Sequence, residues 1–211
     1  MKKGYILGIL FFGSLWGFSE AVLGGFLYRA DIPYSSIYLT VIAVSILAVA
    51  SLYLPGRGVL SAIAAFAMLY KFLNTPFFAC HLLGILLLGM CCDLFFNVLK
   101  MKNRSLSAIL AVYVNYSLFA LMITYVFRYN HWVEASLSKI ANHILIGGTI
   151  TALVCAVAVP LSYKFGEWVQ SGKPQANLVE SFSRMRLSIV TTGMWLFALV
   201  MFAVQFHSNL A

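Results

Sequence analysis

Long apolar runs, broken by short polar punctuation, fill almost the whole chain. A helix needs about 20 residues to cross a bilayer, and runs near that length are easily separated. The first covers 5–28 and stops at Arg29-Ala30-Asp31-Ile32-Pro33. The second, 36–54, ends at Pro55-Gly56-Arg57-Gly58, a strong turn signal. A shorter third run, 59–73, gives way to Asn74-Thr75-Pro76, and the fourth occupies 77–99. After the cluster Lys100-Met101-Lys102-Asn103-Arg104 the fifth spans 106–127. The segment 131–142 sets Trp132, Val133, Leu137 and Ile140 among polar residues, the spacing of a short amphipathic helix at the interface. The sixth run is 144–163, a polar loop covers 164–186, and the seventh run is 187–206. The pattern predicts an all-α, polytopic integral membrane helix bundle: a single transmembrane domain with six to seven spanning helices. The first run is too long for a secretory signal and lacks a small-x-small cleavage site, so it is expected to be a retained helix.

Composition sharpens this picture. Of 211 residues, 62% are hydrophobic and 9% charged, where a soluble domain carries about 25% charged residues. Most of the surface therefore faces something other than water, and the lipid bilayer is the expected surrounding. The net charge of +8 follows from topology rather than from nucleic-acid binding, because no basic run is interleaved with aromatics. With the N-terminus in the cytoplasm, the inner segments hold ten cations: Lys2, Lys3, Arg57, Lys100, Lys102, Arg104, Lys164, Lys173, Arg184 and Arg186. The outer ones hold Arg29, Arg128 and Lys139. That is the positive-inside bias of a multi-pass protein of the cell (inner) membrane.

Ionisable groups at bilayer depth cost about 2.5–3.5 kcal/mol each on insertion scales, so each needs a reason. Glu20, Lys71 and His81 fall on three different helices at similar depth, in the outward half. Lys71 could snorkel to headgroups, and His81 could be a packing histidine. Glu20, with a short side chain among Gly17, Phe18, Ser19, Ala21 and Val22, must be protonated, paired with Lys71, or face a wet cavity. Tyr113 and Asn115 on the fifth run, with Thr149 and Thr151 on the sixth, add polar groups near this depth. Together these seven residues would line a ligand pocket open to the outside and closed to the cytoplasm. Asp93 lies about two turns before Lys100, which suits a salt bridge to a cation at the cytoplasmic end or the docking of a cytoplasmic partner.

Small residues mark helix contacts. Gly13 and Gly17 form a small-xxx-small pair on the first run, suited to packing within the chain or to docking a partner helix. Cys80, Cys91, Cys92 and Cys155 form no C-x-x-C, and no metal site, cofactor or catalytic constellation is expected. Metalloprotease, hydrolase and phosphate-loop motifs are absent from the sequence.

Two stretches within about the first hundred residues carry a resemblance. Leu15-Trp16-Gly17-Phe18-Ser19-Glu20-Ala21-Val22-Leu23-Gly24 resembles the first helix of S-component-like proteins. Tyr53-Leu54-Pro55-Gly56-Arg57-Gly58, with Ala62-Ile63-Ala64-Ala65 and Lys71, resembles their second-to-third helix turn. The family is that of the substrate-binding S components of energy-coupling factor (ECF) transporters. The resemblance implies a protein that captures a vitamin, a vitamin precursor or a metal from outside. Such a protein works with a coupling membrane subunit and cytoplasmic ATPases, and Gly13 and Gly17 would resemble the face that meets that subunit. Seven runs here, against the usual six, and glycines where the family shows spaced alanines are departures. Two other classes fit the same residues. A self-sufficient proton- or ion-coupled carrier would titrate Glu20 or Asp93. A membrane enzyme acting on lipid or quinone would use His81 and Asp93, although twelve residues of helix separate them by about 18 Å.

Overall fold

The computed structural model of the protein describes residues 3–73, 79–134, 137–170 and 184–208. All regular structure among them is helical: α1 Lys3–Arg29, α2 Ser35–Tyr53, α3 Val59–Met68, α4 Ala79–Cys92 and α5 Arg104–Leu121, then α6 Asn130–Val133, α7 Leu137–Asn142, α8 Gly148–Gln170 and α9 Arg184–Ser208. Among the described residues six stretches are long and apolar enough to cross a membrane: Gly4–Arg29, Ser35–Tyr53, Cys80–Val98, Arg104–Val126, Ile140–Gln170 and Met185–Val204. The chain is an all-α, multi-pass membrane protein. Its outer faces agree: Ile150, Val157 and Leu161 of α8 and Ile189, Leu196 and Val200 of α9 are exposed where a water-facing helix would carry charge.

The third apolar run differs from the others. It is a ten-residue α-helix continued by a five-residue 3-10 turn, Leu69–Leu73, and the tighter turn carries Tyr70 and Lys71 into the interior. The expected interfacial helix at 131–142 is also corrected. Asn130–Val133 stands apart, whereas Leu137–Asn142 runs through a π-type turn, His143–Gly147, into α8. The sixth span thus starts at Ile140, earlier than the polar residues around it suggested, and reaches Gln170, well into the expected 164–186 loop. Residues 171–183 of that loop, with Lys173, lie outside the described residues, as does the Asn74-Thr75-Pro76 punctuation.

Six helices close a ring in the order α1, α2, α8, α5, α4 and α3, and α9 packs outside it on α1. Fully buried Val44, Leu47, Leu60, Ile63, Cys92, Val112, Cys155 and Val159 fill the ring interior over one half. Close approach at α1–α3–α4 depends on missing side chains. A Cβ on Gly17 would lie 2.4 Å from the Tyr70 ring and 2.9 Å from the Ala67 carbonyl oxygen. One on Gly89 would lie 2.2 Å from the Ala64 Cβ. Gly13 meets Phe66 and the Ile63 carbonyl in the same way. The glycines singled out for partner docking are therefore used up inside the chain, where α1 seats α3, and they offer no surface to another protein.

Asp93 likewise turns inward, and not toward Lys100. Gly58, at φ 80°, gives α3 an N-terminus with no side-chain cap of its own. The carboxylate of buried Asp93 supplies one from the end of α4: Oδ2 accepts from the Gly58 N–H at 2.5 Å and Oδ1 from the Leu60 N–H at 3.2 Å. The first N–H groups of a helix have no intrahelical partner and carry partial positive charge, so a carboxylate satisfies both needs. Asn97 completes the joint by donating to Asp93 Oδ1 at 3.0 Å and to the Gly56 carbonyl at 2.9 Å. Pro160, inside α8, cannot donate to the carbonyl four residues earlier. That carbonyl, on Ala156, accepts instead from Ser105 Oγ at 2.8 Å, which ties α8 to α5.

Asp93→Ala strips the Gly58 N–H and the buried Leu60 N–H of their acceptor, and the buried one alone costs about 1–3 kcal/mol. The expected result is a clearly lower unfolding midpoint in detergent, with the aromatic residues at the opposite end of the bundle undisturbed in their intrinsic fluorescence. An unchanged midpoint would contradict the capping role.

Candidate ligand cavity

At the other end of the ring the helices leave a cavity of about 590 Å³, inside the range of roughly 300–1,000 Å³ usual for small-molecule sites. Each wall is a helical stripe. On α1, Trp16, Glu20, Gly24 and Tyr28 recur every fourth residue, and on α4 His81, Gly84, Ile85 and Leu88 share one face. Ser36, Leu39 and Thr40 contribute from α2, and Asn115, Tyr116 and Phe119 from α5. Gly25 adds room, because a Cβ there would meet nothing within 4 Å.

Glu20 and Lys71 form a buried ion pair in the wall. Lys71 Nζ lies 2.9 Å from Glu20 Oε2 and 3.4 Å from the Glu20 backbone oxygen. Trp16, fully buried, donates its indole N–H to Glu20 Oε1 at 3.3 Å. Of the alternatives left open for Glu20, the structure forms the pair with Lys71, on the wall of the cavity, and Lys71, 5% exposed, does not snorkel. The 3-10 turn after α3 is what aims it inward. His81 lines the same cavity and is exposed there, beside half-buried Cys80.

Opposite the ion pair stands an aromatic group that the sequence did not single out. The His143 ring stacks on Tyr116 with centroids 4.9 Å apart and planes 27° apart. Trp132 meets His143 edge-on at 5.0 Å, and Phe119 lies 5.5 Å from Trp132. Tyr116 is held in place by its hydroxyl, 2.9 Å from Thr151 Oγ1, which itself donates to the Gly147 carbonyl at 2.7 Å. His143 sits on a π-type turn, a widened turn of the kind frequent at functional sites.

Of the residues expected to line a pocket, Glu20, Lys71, His81 and Asn115 do so. Tyr113, Thr149 and Thr151 do not belong to the lining. Tyr113 hydrogen-bonds Thr149, Thr149 donates to the Leu145 carbonyl, and Thr151 holds Tyr116. They join α5 to α8 and act at most through the residues that face the cavity. The missed residues left a signal in the four-residue stripe through Glu20, which runs from Trp16 to Tyr28 and contains a glycine. The aromatic group left none, since Tyr116, Trp132 and His143 come from three elements.

No protein-family model, curated protein or solved structure matches the chain.

Cys80 is half-buried in the cavity wall, whereas Cys91, Cys92 and Cys155 are buried in the packed interior. Brief treatment of the folded protein with N-ethylmaleimide should therefore give one adduct, on Cys80, by peptide mass spectrometry. Equal modification of all four, or none on Cys80, would contradict an accessible cavity.

Proposed function

We propose that this chain is the membrane-embedded capture component of an ECF-type uptake transporter: it takes a small organic molecule from outside the cell membrane into the cavity. The observation that carries this reading is the cavity itself, a dead end. A buried ion pair and an aromatic group surround it, and the packed interior between α2, α3, α5 and α8 lies beneath. A binding site without a path through suits capture better than conduction. The positive-inside bias turns the cavity end outward, and the stretches around Glu20 and Tyr53–Gly58 resemble S components.

The aromatic surfaces favour an organic ligand, such as a vitamin or vitamin precursor, over a metal. The sequence holds no phosphate loop, so on this reading energy comes from cytoplasmic ATPases through a coupling membrane subunit. With Gly13, Gly17 and Asp93 committed inside the fold, that subunit docks on other residues. The ion pair serves as fixed structure in the site, unlike the alternating proton site that a self-sufficient carrier needs.

Gentle affinity purification from native membranes should bring down a coupling membrane protein and ATPase subunits, with a bound small molecule readable by mass spectrometry. The same chain alone in liposomes should not accumulate that molecule under a proton gradient. Accumulation by the chain alone would replace this reading with the proton-coupled carrier.

A further inference from the structure

The cavity wall holds one polar group whose need is unmet. Asn115 is 7% exposed, stands in the lining, and its Oδ1 has no hydrogen-bond partner among the described residues. The oxygen itself is buried in the wall, so a donor in the cavity meets it once the carboxamide turns about its terminal torsion, a soft one in Asn, and the unpaired oxygen gains from that turn. A carboxamide also carries an N–H₂, and can offer an acceptor and a donor side by side to a matching edge.

Two neighbours of Asn115 define the shape of that partner. Tyr116 is the next residue on α5 and forms the stack with His143, and Phe119, one turn further, leads to Trp132. Flat ring faces and edges of this kind favour a planar π-system, which stacks with little dependence on its substituents. Charge is defined by the opposite wall. Glu20 and Lys71 neutralise one another at 2.9 Å, and they are the only Asp, Glu, Lys or Arg in the described lining. A ligand with a net charge would therefore be desolvated there without a dedicated counter-ion.

On the premise that the cavity captures a small molecule, we infer that its ligand is an uncharged, planar nitrogen heterocycle presenting a ring N–H beside a carbonyl, read by the Asn115 carboxamide and stacked against the Tyr116–His143 group.

Theophylline and caffeine test this directly. Both are flat and uncharged at neutral pH, and they differ by the methyl group that replaces the imidazole-ring N–H beside the carbonyl. Binding is read on the full-length protein in detergent in two ways, as protection of Cys80 from N-ethylmaleimide and as a rise in the unfolding midpoint. Theophylline is expected to bind roughly tenfold or more tightly than caffeine, since caffeine leaves the amide oxygen bare. The related anion, 1,3-dimethylurate, should bind more weakly than theophylline. Asn115→Leu should lower theophylline affinity to about that of caffeine while caffeine affinity stays the same. The comparison on the unmodified protein stands even if that variant fails to fold.

Equal affinity for the two xanthines, binding of neither, preference for the anion, or a preference that survives Asn115→Leu would overturn the inference. If the xanthines fail while the protein purified from its own membrane carries another bound molecule, capture stands and only the proposed ligand class falls.

Discussion

The ion pair between Glu20 and Lys71 is the constraint around which the cavity end of this protein is arranged. An isolated charge at this depth is costly, and a pair offsets that cost only with close geometry and further hydrogen bonds. Both conditions are met: the contact is 2.9 Å, and Trp16 donates to the second carboxylate oxygen. Meeting them imposes structure elsewhere. α3 must end short of a full span and tighten into a 3-10 turn so that Lys71 points inward. The turn brings Tyr70 with it, and Gly17 must lack a side chain to let Tyr70 lie against α1. Trp195 of α9 then packs on Tyr70 at 4.2 Å, which fixes the outermost helix to the ring.

The two ends of the bundle use their polar groups differently. At the packed end they hold the fold together. Asp93 caps α3, Asn97 holds the 55–58 turn, and Ser105 satisfies the carbonyl that Pro160 leaves free. Arg104 lies 3.4 Å over the Tyr163 ring, whose hydroxyl meets Ser51 at 2.6 Å, so α5, α8 and α2 are joined there as well. At the cavity end polar side chains stand in the walls around open space, with the exposed His81 and the Asn115 carboxamide among them. A rigid frame at one end and polar groups lining a space at the other is what a receptor for a small molecule requires.

The membrane class and the spans were legible because lipid enforces long apolar runs, and composition alone reports them. Glu20, Lys71, His81 and Asn115 were legible for the same reason, as polar residues where lipid forbids them. What was not legible depends on rotation about a helix axis. Tyr113 and Tyr116 look equivalent along the chain, yet Tyr116 faces the cavity and Tyr113 bonds across to Thr149. Asp93 was matched to the nearest cations, since a sequence shows charges but not bare backbone N–H groups. Its actual partners, the amides of Gly58 and Leu60, exist only once the 55–58 turn brings α3 beside α4. His143 was hidden by its polar surroundings, which read as an interfacial segment when the helix in fact continues into the sixth span.

The most direct measurement is a double-mutant cycle on the ion pair, with Glu20→Gln, Lys71→Met and their combination followed by reversible unfolding in mixed micelles. The structure predicts that each single change costs about 3–5 kcal/mol, because it strands the other charge, and that the double variant recovers most of that loss. Additive effects with no recovery would mean that the two residues do not meet, and the cavity as described would lose its foundation.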